Sequence, residues 1–394
     1  MITRESLRVL ENALTFTKQI ERQYDDKFGV AGAKIGTTLN VRKPPRYVGR
    51  TGQALAIEDA TETSVPLTLS VQRGVDIAFT SQDLALSIDD FSKRFIKPAL
   101  ANVANGIDYD GTAQTLNVYN SVGTAGTFPN AALTFLQAGQ RLNEEACPVD
   151  DRKLCMGPGF VPPIVDALKG LFQSGERIAE QYDKGMMGIG LGFEWFMDQN
   201  MRAQTSGSPG AVTVAGASQT GSTLTVSALA GALNAGDIFT IAGVNAVNPQ
   251  NHQSTGALRQ FVVTANAAAS ATTIQIAPPI VPSGGSTNPT LGGGFQTVTA
   301  SPASGAALTF FYSAAQTSNV ACAFHPEAFA FACADLQLPG GVDMAARVAD
   351  DQLGMSIRLV RAYDINLDRF PTRLDILYGF TTLYKEMACR IAGG

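Results

Sequence analysis

A stretch of 124 residues, from Ala203 to Pro326, contains only two charged side chains, Asp237 and Arg259. Its apolar residues form short β-branched or aromatic runs bounded by Gly, Pro, Asn or Ala, at intervals of roughly a dozen residues. The runs are Val212–Val214, Leu224–Val226, Ile238–Ile241, Phe261–Val263 and Ile274–Ile276. Because such strands can bury a core, we predict an inserted all-β domain, a small sandwich or barrel, over residues 203–315. The alternative, a flexible Gly/Ser tract, fits best for residues 282–294.

The residues on either side of this stretch predict one α+β domain that the insert interrupts. Apolar residues recur at helical spacing over residues 3–28, 89–120, 130–147, 162–171 and 174–184. Alternating apolar residues predict strands within 34–80 and at 153–156, 356–365, 373–380 and 386–391, with a strand and short helix over 319–336. No apolar run is long enough to predict a membrane span.

The sequence contains no recognisable catalytic or cofactor motif. It has two histidines, and Cys322-x-x-His325 would supply two metal ligands at most. The glycines of residues 185–192 lack the helix and acidic residue of a dinucleotide site, and we expect a packed strand there. We therefore predict no enzyme activity and no cofactor or metal. The cysteines form no C-x-x-C pair and predict reduced, mostly buried thiols: Cys147, Cys155, Cys322, Cys333 and Cys389.

Charge is segregated near the N-terminus. Every charged residue from Lys34 to Arg50 is basic, whereas residues 58–90 carry a net charge of −6. A basic arm beside an acidic body is complementary between copies of one chain, although ordinary variation in surface charge is the alternative. The whole chain has 29 basic and 34 acidic residues, a net charge of −5, which argues against a dedicated nucleic-acid-binding protein.

Three separated segments resemble the coat proteins of tailed phages of the P22 type. The first contains KIGTTLNVRKPPRYVGRTG and TETSVPLTLSVQRGVDIAFTSQDLALSIDDF, and the second is GDIFTIAGVNAVNPQNHQSTGALRQFVVT. The third is the C-terminal SIRLVRAYDINLDRFPTRLDILYGFTTLYKEMACRIAGG. They occur in the order found in that family, and the resemblance extends over nearly the whole chain.

The resemblance implies an α+β, HK97-like coat fold with an inserted all-β domain. Its parts would be an N-terminal helical arm (1–33), an extended E-loop (34–75) and a peripheral domain with a spine helix (76–128). An axial domain (129–202 and 316–345) would surround the insert (203–315), and peripheral strands (346–394) would end the chain.

The function implied is that of a major capsid protein, which self-assembles into an icosahedral phage head around double-stranded DNA. Its partners would be itself, in hexamers and pentamers, a scaffolding protein, a portal and the packaged DNA, bound without sequence preference, and no membrane. Localisation would be the virion capsid, after assembly in the host bacterial cytoplasm. The alternative is an encapsulin-like shell protein that encloses protein cargo.

Candidate site residues follow from the charge segregation. The basic residues of the arm would dock on the acidic stretch of a neighbouring copy, or on its N-terminal helix. These intersubunit candidates are Arg42, Lys43, Arg46 and Arg50 on the arm, Glu58, Asp59 and Glu62 on the stretch, and Glu21, Asp25 and Asp26 on the helix. Some relatives of the fold form Lys–Asn isopeptide bonds, for which Lys43 and Asn366 are the one pair we nominate.

Overall fold

The protein was analysed as a computed structural model, which describes residues 10, 14–22, 38–47, 52–53, 62–80, 97–168, 188–283, 295–350 and 354–394. The chain divides into two compact units. The first consists of residues 1–41, 65–112 and 329–383, and the second of residues 42–64, 113–328 and 384–394.

Strands dominate both units. Those before the insert are β1 Glu21–Arg22, β2 Thr38–Lys43, β3 Thr63–Thr68, β4 Val71–Thr80, β5 Ser121–Gly123, β6 Lys153–Met156, β7 Ile189–Gly190 and β8 Phe193–Met197. Those within it are β9 Ala203–Thr205, β10 Val212–Thr213, β11 Gly221–Thr225, β12 Ile238–Val247, β13 Ser254–Val263, β14 Thr273–Ile280 and β15 Ala307–Phe310. Those after it are β16 Thr317–Phe324, β17 Phe329–Ala334, β18 Met344–Asp350, β19 Met355–Arg361, β20 Arg369–Thr382 and β21 Ala388–Ala392. The α-helices are α1 Lys97–Thr112, α2 Ala132–Glu144 and α3 Val161–Leu168.

The first unit is a six-stranded sheet with the long helix α1. The strand order is β1-β17-β20-β19-β18, and β4 also pairs with β20, from Thr80 opposite Arg369 to Val71 opposite Tyr378. Fully buried aromatic rings fill its core, where Phe16 meets Phe329 edge to face at 5.6 Å between ring centroids. Aromatic contacts of this kind stabilise beyond the area they bury.

The N-terminal segment corrects one prediction. Residues 3–28 were predicted as one helix, but Thr17–Gln19 form a 3-10 turn and β1 follows, pairing in parallel with β17. The cause is the buried Asp108 of α1, whose carboxylate accepts hydrogen bonds from the Thr15 and Thr17 amides at 2.7 and 2.9 Å. Because these amides are bound from outside the segment, a tertiary contact overrides its helical periodicity.

The second unit has a seven-stranded sheet covered by α2 and α3. The order is β5-β21-β16-β6-β8-β7, and β9 also pairs with β16. One face of this sheet packs on the helices through a core that includes Phe135, Leu142, Phe160, Ile164 and Trp195. Residues 384–394 belong to the second unit. The reason is that β21 pairs with β16 and β5.

Within the second unit, the low-charge stretch forms a closed antiparallel barrel. Its strand order is β10-β15-β12-β13-β14-β11, and a bridge between Val214 and Val226 joins the first strand to the last. The barrel has its own core, which includes Leu224, Phe239 and Phe261. Because the sheet is closed, it has no open edge at which another chain could pair. An open edge would be unfavourable here, since the domain has few exposed charges that could prevent such pairing.

Two helices end earlier than predicted. Helix α2 ends at Glu144 rather than at 147, and helix α1 ends at Thr112 rather than at 120, followed by a 3-10 turn over Ala113–Asn117. Residues 89–96 of the predicted helix at 89–120 lie outside the described residues. The predicted helix at 174–184 lies outside the described residues. In the described part of the predicted packed strand, residues 188–192, Ile189–Gly190 form a short strand between Gly188 and Gly192, which both adopt positive φ. Ile189 is 77% exposed, so this strand is not packed as predicted. None of the described helices is both long and apolar enough to cross a membrane. All five cysteines are buried and none forms a disulfide bond, as predicted.

Candidate functional site: the arm and the insert junction

The basic arm, which is the predicted E-loop over residues 34–75 and is called the arm below, contains the two-stranded sheet of β2 and β3. At its outer end Arg42 faces Glu62, with Nη1 3.5 Å from Oε2. The two side chains are 81% and 56% exposed, so water and salt screen this pair strongly. Arg42 therefore remains accessible to another molecule.

Next to Arg42, the arm carries a half-buried cluster of basic side chains. Arg46 donates a hydrogen bond to Glu386 at 2.5 Å, and the Lys43 ammonium lies 4.5 Å from the centroid of the Tyr384 ring. Burial lowers the pKa of Lys43, an effect that Glu386 partly offsets and Arg46 reinforces. Burial, together with repulsion from Lys43, also lowers the pKa of Lys385. Lys43 and Arg46 are therefore held by partners within their own copy.

The predicted intersubunit residues are only partly described. Glu21 lies half-buried in β1 of the first unit, and Asn366 is exposed in the turn between β19 and β20 of that unit. The remaining candidates fall outside the described residues: Arg50, Glu58, Asp59, Asp25 and Asp26. The proposed docking of the arm on an acidic surface therefore stays a prediction.

The second candidate site is the junction where the barrel meets the rest of the second unit. Arg259 of β13 donates from Nη1 to Oε1 of Glu145, which follows α2, at 2.6 Å. Its guanidinium carbon lies 4.5 Å from the centroid of the Tyr119 ring, and the Tyr119 hydroxyl lies 3.4 Å from Oε2 of Glu145. The Arg259 and Glu145 side chains are 3% and 7% exposed, so solvent hardly screens this pair.

Two further hydrogen-bonded contacts cross the same junction. The Gln260 amide accepts from the Ser121 N–H at 2.8 Å and donates to the Ser121 carbonyl at 2.9 Å, as a paired peptide group would. From the opposite side, Arg390 of β21 donates to the Gly236 carbonyl at 2.8 Å. Arg390 is fully buried, and this desolvation lowers its pKa.

The other charge of the insert, Asp237, is also buried, at 2% exposure. Its carboxylate accepts hydrogen bonds from the Gln204 side chain at 3.0 Å and from the Gly207 and Asn234 amides at 2.9 Å each. Two of these donors, Gln204 and Gly207, lie where the chain enters the barrel. Both charges of the insert therefore serve contacts inside the molecule, and its outer surface is uncharged.

Sequence reasoning missed the junction residues outside the insert, namely Tyr119, Ser121, Glu145 and Arg390. The signal that could have found part of it was the scarcity of charge itself. An arginine next to the apolar residues of a predicted strand, in a stretch with one other charge, predicts a specific buried acidic partner. Which acid would meet Arg259 could not be read from the sequence, because Glu145 lies 114 residues away.

Neither site has the features of a catalytic centre. No group of three His, Cys, Asp or Glu side chains suited to a metal was found within the described parts of the chain. A cavity of about 190 Å³ beside Asp237 is lined by residues that include Ser206, Phe310 and Tyr312. It is smaller than the roughly 300 Å³ at which ligand pockets usually begin.

Comparison with solved structures identifies the fold. The capsid of Ralstonia phage GP4 matches with a TM-score of 0.50 at 7% identity, over 96% of this chain and 88% of that one. Mycobacterium phage Che8 matches with a TM-score of 0.46 at 11% identity, over 96% and 90%. The CUS-3 coat protein I-domain is 34% identical over 26% of this chain and 97% of its own, with a TM-score of 0.20. The match to the Ralstonia phage GP4 capsid indicates the fold of a phage capsid subunit, which is the HK97-like fold.

Its family follows from the sequence match. The model of the P22 coat protein family, described as "P22 coat protein - gene protein 5", matches residues 3–393. The chain belongs to this family, and it is a major capsid protein rather than an enzyme. No curated protein matches it. The family assignment does not favour the encapsulin-like alternative.

Proposed function

We propose that copies of this coat protein form hexamers and pentamers of a closed icosahedral shell around double-stranded DNA. The observation that carries the proposal is the family match over residues 3–393, because a coat protein must contact itself to close a shell. A scaffolding protein and a portal are the further partners we propose, with assembly in the host bacterial cytoplasm.

The domain division expected from the family belongs to this proposal. Residues 1–33 would form the N-arm, 34–75 the E-loop, 76–128 and 346–394 the peripheral domain, and 129–202 with 316–345 the axial domain. The barrel supports a separate insert within 203–315, since its core is distinct from that of the neighbouring sheet.

Packaged DNA would be bound weakly and without sequence preference. The net charge of −5 supports this, because non-specific affinity for DNA arises from basic side chains that displace counterions. We expect fluorescence anisotropy to detect binding of a DNA duplex by the unassembled subunit only at low salt. Tight binding that persists at high salt would contradict this part of the proposal.

Arg42 is the residue we propose as the intersubunit contact of the arm. It is largely exposed, whereas Lys43 and Arg46 already have partners in their own copy. An acidic stretch of a neighbouring copy, which includes Glu62, would supply the partner.

The test is the substitution Arg42→Glu, compared with Arg373→Glu as a matched control. Arg373 is another exposed arginine paired with an exposed carboxylate, Asp76, but it lies outside the arm. We expect Arg42→Glu to leave the melting of the subunit almost unchanged and to reduce the yield of regular shells seen by negative-stain electron microscopy. Regular shells in equal yield from both variants would exclude Arg42 as the contact. A wild-type chain that forms no shells, alone or together with a scaffolding protein, would refute the function.

A further inference from the structure

The insert uses its two charged residues at its attachment to the second unit. Asp237 binds donors where the chain enters the barrel, and Arg259 binds Glu145 outside it. The barrel has an apolar core of its own, and neither charge is needed to form that core. Their position therefore indicates a role in how the barrel is attached.

The attachment has an apolar part and a polar part. The apolar contact is small and joins the barrel to the rest of the second unit through Tyr119, Ile238, Val262, Ala277, Tyr312 and Ala392. Apolar contact is non-directional, so it favours attachment without selecting one angle. Hydrogen bonds and ion pairs have preferred distances and directions, and they can select an angle.

Two of the polar contacts lie on adjacent residues of β13. The Arg259 guanidinium is held between the Glu145 carboxylate and the Tyr119 ring, and Gln260 forms paired hydrogen bonds with the Ser121 backbone. Rotation of the barrel would break both contacts together. Each would then leave buried polar groups without partners, which is unfavourable.

The ion pair is weak evidence for stabilisation of the fold. Burial raises the pKa of Glu145, and the attraction of Arg259 offsets this only in part. At Arg259, burial is outweighed by the attraction of Glu145 and Tyr119, which raises the pKa of the guanidinium. Buried ion pairs of this kind can often be replaced by apolar residues without loss of stability, and their best-attested use is to select one geometry.

We propose that Tyr119, Glu145, Arg259 and Gln260 are positioning residues that fix the orientation of the insert, and that regular shell assembly requires this orientation. The requirement for shell assembly rests on the proposed function. The positioning of the insert concerns the single subunit, so either claim can fail without the other.

The test is the double substitution Glu145→Leu/Arg259→Met in the full chain, which removes both charges and leaves neither unpaired. The matched control is Glu194→Leu/Lys153→Met, which removes an ion pair between β6 and β8 of the same unit. Hydrogen exchange at the Ser121 and Gly207 amides reports attachment, urea unfolding reports stability, and electron microscopy reports shells.

For the double variant we expect at least tenfold faster exchange at the Ser121 amide, an almost unchanged unfolding midpoint and few regular shells. The control should exchange at Ser121 and assemble as the wild type does. The single substitution Arg259→Lys, which retains the charge, should leave the Ser121 amide exchanging more slowly than it does in the double variant. An unchanged exchange rate, or a double variant that fails to fold, would overturn the positioning role. Regular shells despite fast exchange would overturn only the requirement for assembly.

Discussion

The insert and the outer strands of the first unit differ in where they place their charges. Along β18 to β20, exposed ion pairs such as Arg369–Asp364 at 3.2 Å and Arg373–Asp76 at 3.0 Å, with Arg373 57% exposed, accompany the largely buried pair Arg358–Asp375. The insert buries its two charges and presents an uncharged surface. Contacts made by the first region must therefore depend on salt, whereas contacts made by the surface of the insert should not.

The difference also concerns what holds each region together. The barrel depends on its apolar core and on closure, because it has no exposed ion pair to contribute. The first unit combines an aromatic core with buried carboxylates that bind specific donors, as Asp108 does. Substitutions in the two regions should consequently differ in size and in their response to salt and pH.

The largest effect is expected in the core of the barrel. Phe261 is fully buried and stacks on Phe239 at 5.7 Å between ring centroids. Phe261→Ala removes this contact and leaves a cavity, which destabilises by about 3–5 kcal/mol. Because a whole domain is stable by only about 5–15 kcal/mol, we expect the isolated fragment 203–315 to lose most of its cooperative unfolding, measured by circular dichroism.

Leu258 provides the control for this substitution. It lies on the same strand and is 38% exposed, so Leu258→Ala should change the melting temperature of the fragment little. A wild-type fragment with a disordered spectrum would break the comparison, because the insert would then depend on the rest of the chain for its fold.

A smaller effect is expected at Asp108 in the first unit. Its carboxylate binds the Thr15 amide and both the amide and the hydroxyl of Thr17. Asp108→Ala leaves these donors without a partner, and because the released N-terminal segment can bind water, we expect a loss of about 1–3 kcal/mol in total. We expect faster proteolysis of the N-terminal segment than in the wild type. Asp110→Ala, on the same helix, is the comparison, and equal proteolysis of both variants would argue against the anchor.

The pH dependence of the free energy of unfolding should distinguish Glu145, the buried acid of the junction, from an exposed carboxylate. Since burial raises the pKa of Glu145 above its ordinary 4.5, the unfolded chain loses this proton at lower pH than the folded chain does. The contribution of Glu145 to stability is thus present below pH 4.5 and falls as pH rises through the folded-state pKa. Urea unfolding from pH 4 to 8 should show this fall in the wild type and a flatter profile in Glu145→Gln.

Glu62→Gln serves as the matched control for the pH profile, because it removes an exposed carboxyl from the arm in the same unit. Its profile should follow that of the wild type. If the profile of Glu145→Gln follows that of the wild type as well, then ionising the buried Glu145 carboxylate does not lower the free energy of unfolding. That result would contradict the view that this ion pair positions the insert rather than stabilising the fold.

The barrel was predictable from sequence, whereas its attachment was not. The five apolar runs between Val212 and Ile276 all lie in or beside barrel strands, because alternation and turn residues are local signals. The pairing of Arg259 with Glu145, and of β1 with β17, depends on residues far apart in sequence. The predicted helix over 3–28 was wrong at Glu21 for the same reason, since a distant carboxylate and a distant strand decide its conformation.

The smallest effect is expected for the exposed ion pairs of the first unit. Arg373 Nε lies 3.0 Å from the Asp76 carboxylate, and both side chains are more than half exposed. Screening and side-chain entropy limit such a pair to about 1 kcal/mol or less, so Arg373→Ala should shift the unfolding midpoint slightly at low salt. At 1 M NaCl, where the screening length falls to about 3 Å, the difference from the wild type should vanish. The same titration applied to Glu145→Leu/Arg259→Met should leave its difference from the wild type unchanged, because that pair is buried. A salt response of equal size in both variants would show that the two regions do not differ in the way their charges are placed.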